Sequence, residues 1–133
     1  MFNICLFESS MVLNLSETLE LLRSSEKNDR AKAASYLGSL GANGVEAASL
    51  FLADSDWHLR YRACEIIGLT HEKSGIPYLL PLLKDEKDHV RYMAVKSLGF
   101  CGGKEIVPYI TPLLDDENSF VVRITKEVLQ RIS

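Results

Sequence analysis

The sequence predicts an all-α protein of about eight helices, stacked in pairs as a right-handed superhelical solenoid. Three observations lead to this fold class. Long segments repeat at a fixed spacing of 31 residues. Apolar residues within each repeat recur with the period of an α-helix, and glycine and proline return at the same places in successive repeats.

The repeat is clearest between two segments that carry an aspartate, an arginine, an alanine and a glycine in the same order. Residues 54–68 superimpose on residues 85–99 at a spacing of 31. The following stretches, 76–85 and 107–116, match at the same spacing, and residues 30–38 are an earlier, partial copy. A unit of this size cannot bury its apolar face alone, so neighbouring units must stack.

Each unit contains two amphipathic helical segments, here called the first and second helix of the unit. The core-facing positions predicted for one unit are Leu59, Ala63, Ile66 and Ile67 in the first helix and Ile76, Leu79, Leu82 and Leu83 in the second. In order along the chain, we expect a lone second helix near residues 16–24, three helix pairs, and a lone first helix near 119–132.

Local signals mark the helix ends. Asp56 and Asn118 are suited to cap the N-termini of first helices, because their side-chain oxygens accept hydrogen bonds from free backbone N–H groups. Pro77 and Pro108 suit the first turn of second helices, where no N–H is needed. Glycines are expected to end the first helices in a left-handed conformation; they are Gly38, Gly68 and Gly99.

The repeats define one domain over residues 15–133, preceded by residues 1–14, a flexible or capping N-terminal extension. The chain has 133 residues, enough to bury a core, and no apolar run long enough to span a membrane. Its net charge of −3 disfavours nucleic acid as a partner. Three cysteines without a pairing pattern and no signal peptide indicate a cytoplasmic protein, with Cys64 as a small core side chain.

The repeated pattern of aspartate, five residues, arginine, two residues, alanine and a final Ile-Gly or Leu-Gly resembles the short HEAT repeat, and more narrowly the PBS-lyase HEAT-like subgroup. The resemblance covers roughly residues 15–132. It implies that aspartate and arginine form a structural ladder between units, strongest in the middle of the chain and absent at both ends. The ladder residues are Asp54, Arg60, Asp85, Arg91 and Asp116, while Ser24 and Val122 replace the ladder residues in the terminal units.

We find no catalytic constellation, cofactor-binding motif or metal site in the sequence. His58 and His89 lie one repeat apart and lack carboxylates or cysteines at ligand spacing, so a solvated edge is the simpler interpretation. HEAT-like proteins that resemble deoxyhypusine hydroxylase bind iron through His-Glu pairs within their helices. The single His-Glu pair of this chain, His71-Glu72, falls in a turn between helices and is not repeated, which argues against that chemistry.

In HEAT-like solenoids the second helices line the concave face, and this resemblance suggests where a partner would bind. The expected partner-binding residues are Leu50, Tyr78, Pro81, Lys84, Tyr109 and Pro112. Exposed tyrosines favour protein interfaces because they are large, stiff and amphipathic, and the alternative is that both tyrosines pack against the next helix. Trp57, in the first turn of a first helix, is a further candidate, although packing over the preceding turn is the favoured interpretation.

The sequence therefore favours a non-enzymatic adaptor or scaffold that binds another protein on its concave face. The alternative, implied by the subgroup resemblance, is an accessory subunit of a bilin lyase or of a related chromophore-handling complex. The lone terminal helices suggest a further possibility, self-association of one chain's last helix with another's first.

Overall fold

The computed structural model describes residues 14–132, which form eight α-helices and no strand. The helices are α1 (Leu15–Leu21), α2 (Lys27–Gly38), α3 (Ala42–Ser49), α4 (Trp57–Thr70), α5 (Ile76–Leu79), α6 (Asp88–Cys101), α7 (Val107–Ile110) and α8 (Ser119–Ile132). The predicted all-α solenoid is confirmed, including its lone first and last helices. Of the predicted N-terminal extension, only Asn14 lies within the described residues, where it caps α1.

The first helices α2, α4, α6 and α8 pack on one another in chain order, and the second helices pack beside them. The core runs between the two rows. Its fully buried residues include Leu37, Leu59, Ile66, Ile67, Val90, Leu98 and Val128. Second helices contribute equally buried residues, among them Val45, Leu79 and Ile110, so the core is built from both rows.

The second helices of two units are shorter than the sequence predicts. Pro77 lies in the first turn of α5, as expected, but the α-helix stops after Leu79 and continues as a 3₁₀-helix over Leu80–Lys84. The cause is Pro81, which has no N–H to donate to the carbonyl four residues earlier. Pro112 has the same effect after α7, where a 3₁₀-helix covers Thr111–Asp115.

The predicted left-handed glycines at the ends of first helices are wrong. Gly68 and Gly99 lie inside α4 and α6, and the left-handed residue after α4 is His71, with φ of 55°. The glycines instead permit close helix packing. A Cβ atom on Gly68 would lie 2.5 Å from Ser97 Oγ of α6, and one on Gly38 would lie 2.7 Å from Leu69 Cβ of α4.

The predicted N-caps are confirmed. The Asp56 side chain accepts a hydrogen bond from the backbone N–H of His58 at 2.9 Å, at the start of α4. The Asn118 side chain accepts one from the backbone N–H of Phe120 at 2.8 Å, at the start of α8. No helix within residues 14–132 combines the length and the apolar content that crossing a membrane requires.

Candidate protein-binding surface

Exposed side chains, most of them apolar, lie on the second helices and their 3₁₀ extensions. They are here called the tyrosine surface, defined by Leu50, Tyr78, Pro81, Lys84, Tyr109 and Pro112. Leu50 is 71% exposed, Tyr78 40% and Tyr109 53%. Ala47 of α3, one turn before Leu50, is buried against the core.

The helical geometry of α5 and α7 orients the two tyrosines. Leu79 and Ile110, the residues that follow each tyrosine, are fully buried, which turns Tyr78 and Tyr109 to the outside. Because the two units superimpose at 31 residues, both tyrosines occupy the same position in successive repeats. The surface therefore presents two large amphipathic side chains in register, separated by proline and flanked by leucine at one end.

Trp57 lies elsewhere, among the first helices. Its ring stacks on His58 with 3.9 Å between centroids and lies 4.8 Å from the ring of His89, while Lys87 Nζ sits 4.6 Å from its centroid. The edge of the ring also meets Tyr61 of α4. Trp57 is therefore not part of the tyrosine surface. Its ring is an aromatic neighbour of both His58 and His89.

The aspartates and arginines of the middle units form the ladder that the resemblance implies. Arg60 of one unit donates from Nε and Nη2 to both carboxylate oxygens of Asp85 in the next, at 2.8 and 3.0 Å. Its Nη1 donates to the backbone carbonyl of Asp54, within its own unit, at 2.8 Å. One guanidinium thereby satisfies a carboxylate and a loop carbonyl, a bidentate arrangement that suits arginine.

Arg91 and Asp116 repeat this geometry one unit later. Arg91 donates from Nε and Nη2 to the two carboxylate oxygens of Asp116, at 2.8 and 3.0 Å, and its Nη1 donates to the backbone carbonyl of Asp85. Burial alone would raise the pKa of Asp116. The hydrogen bonds from Arg91 and from the backbone N–H of Asn118 outweigh that effect, so the pKa lies below its ordinary value. The carboxylate thus stays ionised in its half-buried position.

The ladder changes at its N-terminal end. Arg30, the counterpart of Arg60, donates to the backbone carbonyl of Ser24 at 3.0 Å. Asp54 instead accepts from Arg23, an exposed side chain, at 3.2 Å. The aspartate of this junction is therefore paired, but by an arginine of the preceding turn and in a solvated position, where an ion pair contributes little.

Cys64, Cys101 and His71 have well-defined surroundings in the structure. Cys64 and Cys101 are buried thiols, and burial raises the pKa of Cys101 to about 11. His71 ends α4, with its ring beside Phe100. Within residues 14–132 no group of histidine, cysteine and carboxylate side chains is arranged to hold a metal ion.

One surface feature was missed by the sequence analysis, an open groove of about 780 Å³ between α2 and α4. We call it the α2–α4 groove; residues lining it include Arg30, Ala31, Trp57, Tyr61, Arg62 and Leu69. An alignment of the repeats could have indicated this groove. Ala31 stands where the next two units have Tyr61 and Tyr92, so side-chain volume is missing from α2.

Comparison with solved structures finds the same fold in three different settings. An engineered protein matches 91% of this chain and 63% of its own, with a TM-score of 0.65 and 18% identity. Human deoxyhypusine hydroxylase matches 93% of this chain and 46% of its own, with a TM-score of 0.71 and 21% identity. A chain of the complex of CpcE and CpcF of phycocyanin lyase from Nostoc sp. PCC7120 matches 92% of this chain and 66% of its own, with a TM-score of 0.56 and 19% identity.

The chain thus spans about half to two thirds of the length of these structures, and the likeness at such low identity concerns the fold. Among curated proteins, none matches the sequence. The sequence model of the family described as HEAT repeats matches residues 45–130, which contain both rungs of the ladder and both exposed tyrosines. With that match over most of its length, the chain belongs to the HEAT repeat family.

Proposed function

We propose that this protein is a non-enzymatic adaptor that binds another protein on the tyrosine surface, in a cytoplasmic setting where its thiols stay reduced. The observation that carries the proposal is the exposure of Tyr78 and Tyr109 at equivalent positions of two successive repeats, beside the largely exposed Leu50. Tyrosine side chains lose little conformational entropy on binding and supply much of the energy at protein interfaces.

The composition of the surface supports a peptide or a helix of the partner as the bound element. Lys84 is exposed at the end of the segment that begins with Tyr78, and Asp115 is exposed at the equivalent place after Tyr109. The surface thus carries a cation at Lys84 and an anion at Asp115. It favours a partner with a negative charge facing Lys84 and a positive charge facing Asp115.

The experiment is an affinity capture from the native lysate, with the bound proteins identified and their affinities then measured with purified components. The wild type is compared with Tyr78→Ala plus Tyr109→Ala, and with Phe120→Ala as the control, since Phe120 is an equally exposed aromatic on α8. We expect the double variant to bind at least about tenfold more weakly and the control to bind normally. Unchanged binding by the double variant would show that the tyrosine surface is not the interface.

The alternative, an accessory subunit of a bilin lyase or a related complex, has one structural observation in its favour. A bilin carries propionate groups, and Arg30 and Arg62 line a groove of about 780 Å³. The fold likeness to phycocyanin lyase is consistent with this alternative. Titration of the purified protein with biliverdin, followed by visible absorbance, tests it; an unchanged spectrum removes the alternative.

A further inference from the structure

The α2–α4 groove arises from a local change in the repeat sequence. Ala31 and Ser35 occupy positions of α2 at which α4 carries Tyr61 and Glu65. The groove lies where these smaller side chains of α2 face α4. It is formed by first helices, apart from the tyrosine surface.

Two guanidinium groups line the groove, and each donates a hydrogen bond to a backbone carbonyl. Arg30 donates to the carbonyl of Ser24, and Arg62 donates to the carbonyl of Leu22 at 2.7 Å. Neither forms an ion pair with any carboxylate in the part of the chain that the structure describes. Burial first, and then the charge of Arg30, lower the pKa of Arg62, while the charges of Asp56 and Glu65 act in the opposite direction. Arg30 and Arg62 line the same groove, so the two cations repel each other.

Apolar surface lies directly beside these cations. Trp57 and Tyr61 line the groove with their rings nearly perpendicular, at 88°, and Leu69 is an exposed apolar residue further along α4. Glu65 lies one turn beyond Arg62, and its half-buried carboxylate has a raised pKa because of burial. Along α4 the groove therefore offers aromatic surface, a cation that can bind an anion, and a hydrogen-bond acceptor, in that order.

We propose that the α2–α4 groove binds a segment of a partner protein that presents a carboxylate next to an aromatic side chain. The carboxylate lies between Arg30 and Arg62, where it relieves their mutual repulsion, and the aromatic ring packs against Tyr61 and Leu69. Glu65 accepts a hydrogen bond from a backbone N–H of the bound segment. Charge complementarity is the reason for choosing an acidic segment, since burying either guanidinium against an uncharged partner would leave it unpaired.

The single tryptophan of the chain makes the proposal testable at this site alone, because Trp57 lines the groove. The full-length protein is titrated with the peptide acetyl-Leu-Glu-Phe-Glu-amide and with its glutamine counterpart, acetyl-Leu-Gln-Phe-Gln-amide. Trp57 fluorescence and the indole N–H resonance report binding. We expect a saturable change with the acidic peptide and binding at least about tenfold weaker with the glutamine peptide, since two charge-assisted hydrogen bonds are lost.

Two variants separate loss of the site from loss of the fold. Arg30→Gln plus Arg62→Gln removes the cations, while Ala31→Tyr restores the side chain of later repeats and fills the groove without changing charge. Both should lose binding by about tenfold or more while keeping a wild-type circular dichroism spectrum. Lys104→Gln, which removes an exposed cation that belongs to neither the groove nor the tyrosine surface, should bind normally.

Equal binding of the two peptides, or a Trp57 signal that neither peptide changes, would overturn the proposal. So would a response to biliverdin but not to the acidic peptide, which would assign the groove to the bilin alternative instead. Normal peptide binding by Ala31→Tyr would show that the probe sits outside the groove. None of these outcomes affects the tyrosine surface, which contains no tryptophan, so the two proposals fail independently.

Discussion

Arg91 connects two repeats through three hydrogen bonds from one side chain, two to the Asp116 carboxylate and one to the carbonyl of Asp85. Its side chain is 11% exposed and that of Asp116 is 10% exposed. Such a pair gains little over apolar packing, because both charges give up hydration. Removing only one partner is much more costly, since the remaining charge stays buried without compensation.

We therefore expect Arg91→Ala to lower the free energy of unfolding by about 3 kcal/mol, measured by urea denaturation at neutral pH. Arg123→Ala is the matched control. Arg123 is 61% exposed and its 3.9 Å contact with Glu127 is solvated, so its loss should cost less than about 0.5 kcal/mol. Equal effects of the two substitutions would mean that the ladder contributes no more than a surface ion pair.

At the residue scale, sequence reasoning found the ladder but not all of its partners. Arg60 and Asp85 were recognisable because their spacing repeats. The pairing of Asp54 with Arg23 has no counterpart in later units and follows from the turn after α1, so repetition could not indicate it. Trp57 was left between packing and partner contact, and the structure shows packing against His58 and His89 at the edge of an open groove.

At the scale of the elements, glycines set the distance between first helices. Gly68 of α4 faces Ser97 of α6, whose hydroxyl donates to the carbonyl of Cys64 at 2.6 Å. Helix propensity alone would favour alanine over glycine by about 1 kcal/mol. A side chain at Gly68 would also have to displace Ser97 Cβ at 2.8 Å and Cα at 3.0 Å, which belong to a packed helix.

Overpacking of this kind costs about 1–3 kcal/mol, and the contact with backbone places Gly68 at the upper end of that range. Gly68→Ala should therefore be destabilising by about 1–2 kcal/mol net, as a lower midpoint of thermal unfolding. Gly103→Ala provides the comparison, because its Cβ would meet only the Glu105 side chain, at 3.4 Å, and the midpoint should barely move. A stabilised Gly68→Ala variant would contradict the packing role.

The same elements show where prediction from sequence stopped. Helical periodicity located all eight helices, because each buries one face against a neighbour. It did not foresee that α5 and α7 would each end after four residues, since the apolar spacing continues through the 3₁₀ segments to Leu83 and Leu113. Pro81 and Pro112 cause the early ends, because proline has no N–H for the helical hydrogen bond. The spacing of apolar side chains does not reveal a missing backbone donor, so periodicity could not indicate it.

At the scale of the whole molecule, α8 differs from the inner first helices at the positions where they meet the next unit. Lys126 replaces the buried Cys64 and Val95, and Gln130 replaces Gly68 and Gly99. A charged side chain in place of an apolar one, and a long one in place of glycine, both oppose close stacking of another helix. The outer face of α8 is therefore more polar than the corresponding faces of α4 and α6.

Self-association through the terminal helices, which the lone α1 and α8 suggest, would therefore meet a barrier at α8. We expect sedimentation equilibrium to show a monomer for the wild type at concentrations up to about 100 μM, the range of weak protein association. Lys126→Val plus Gln130→Gly gives α8 the residues found on the inner helices and should produce concentration-dependent association. Lys104→Val, at an exposed position before α7, is the control for added apolar surface and should remain monomeric. If the wild type itself associates, and Lys126→Glu weakens that association, then α8 is an interface and its lysine takes part in it.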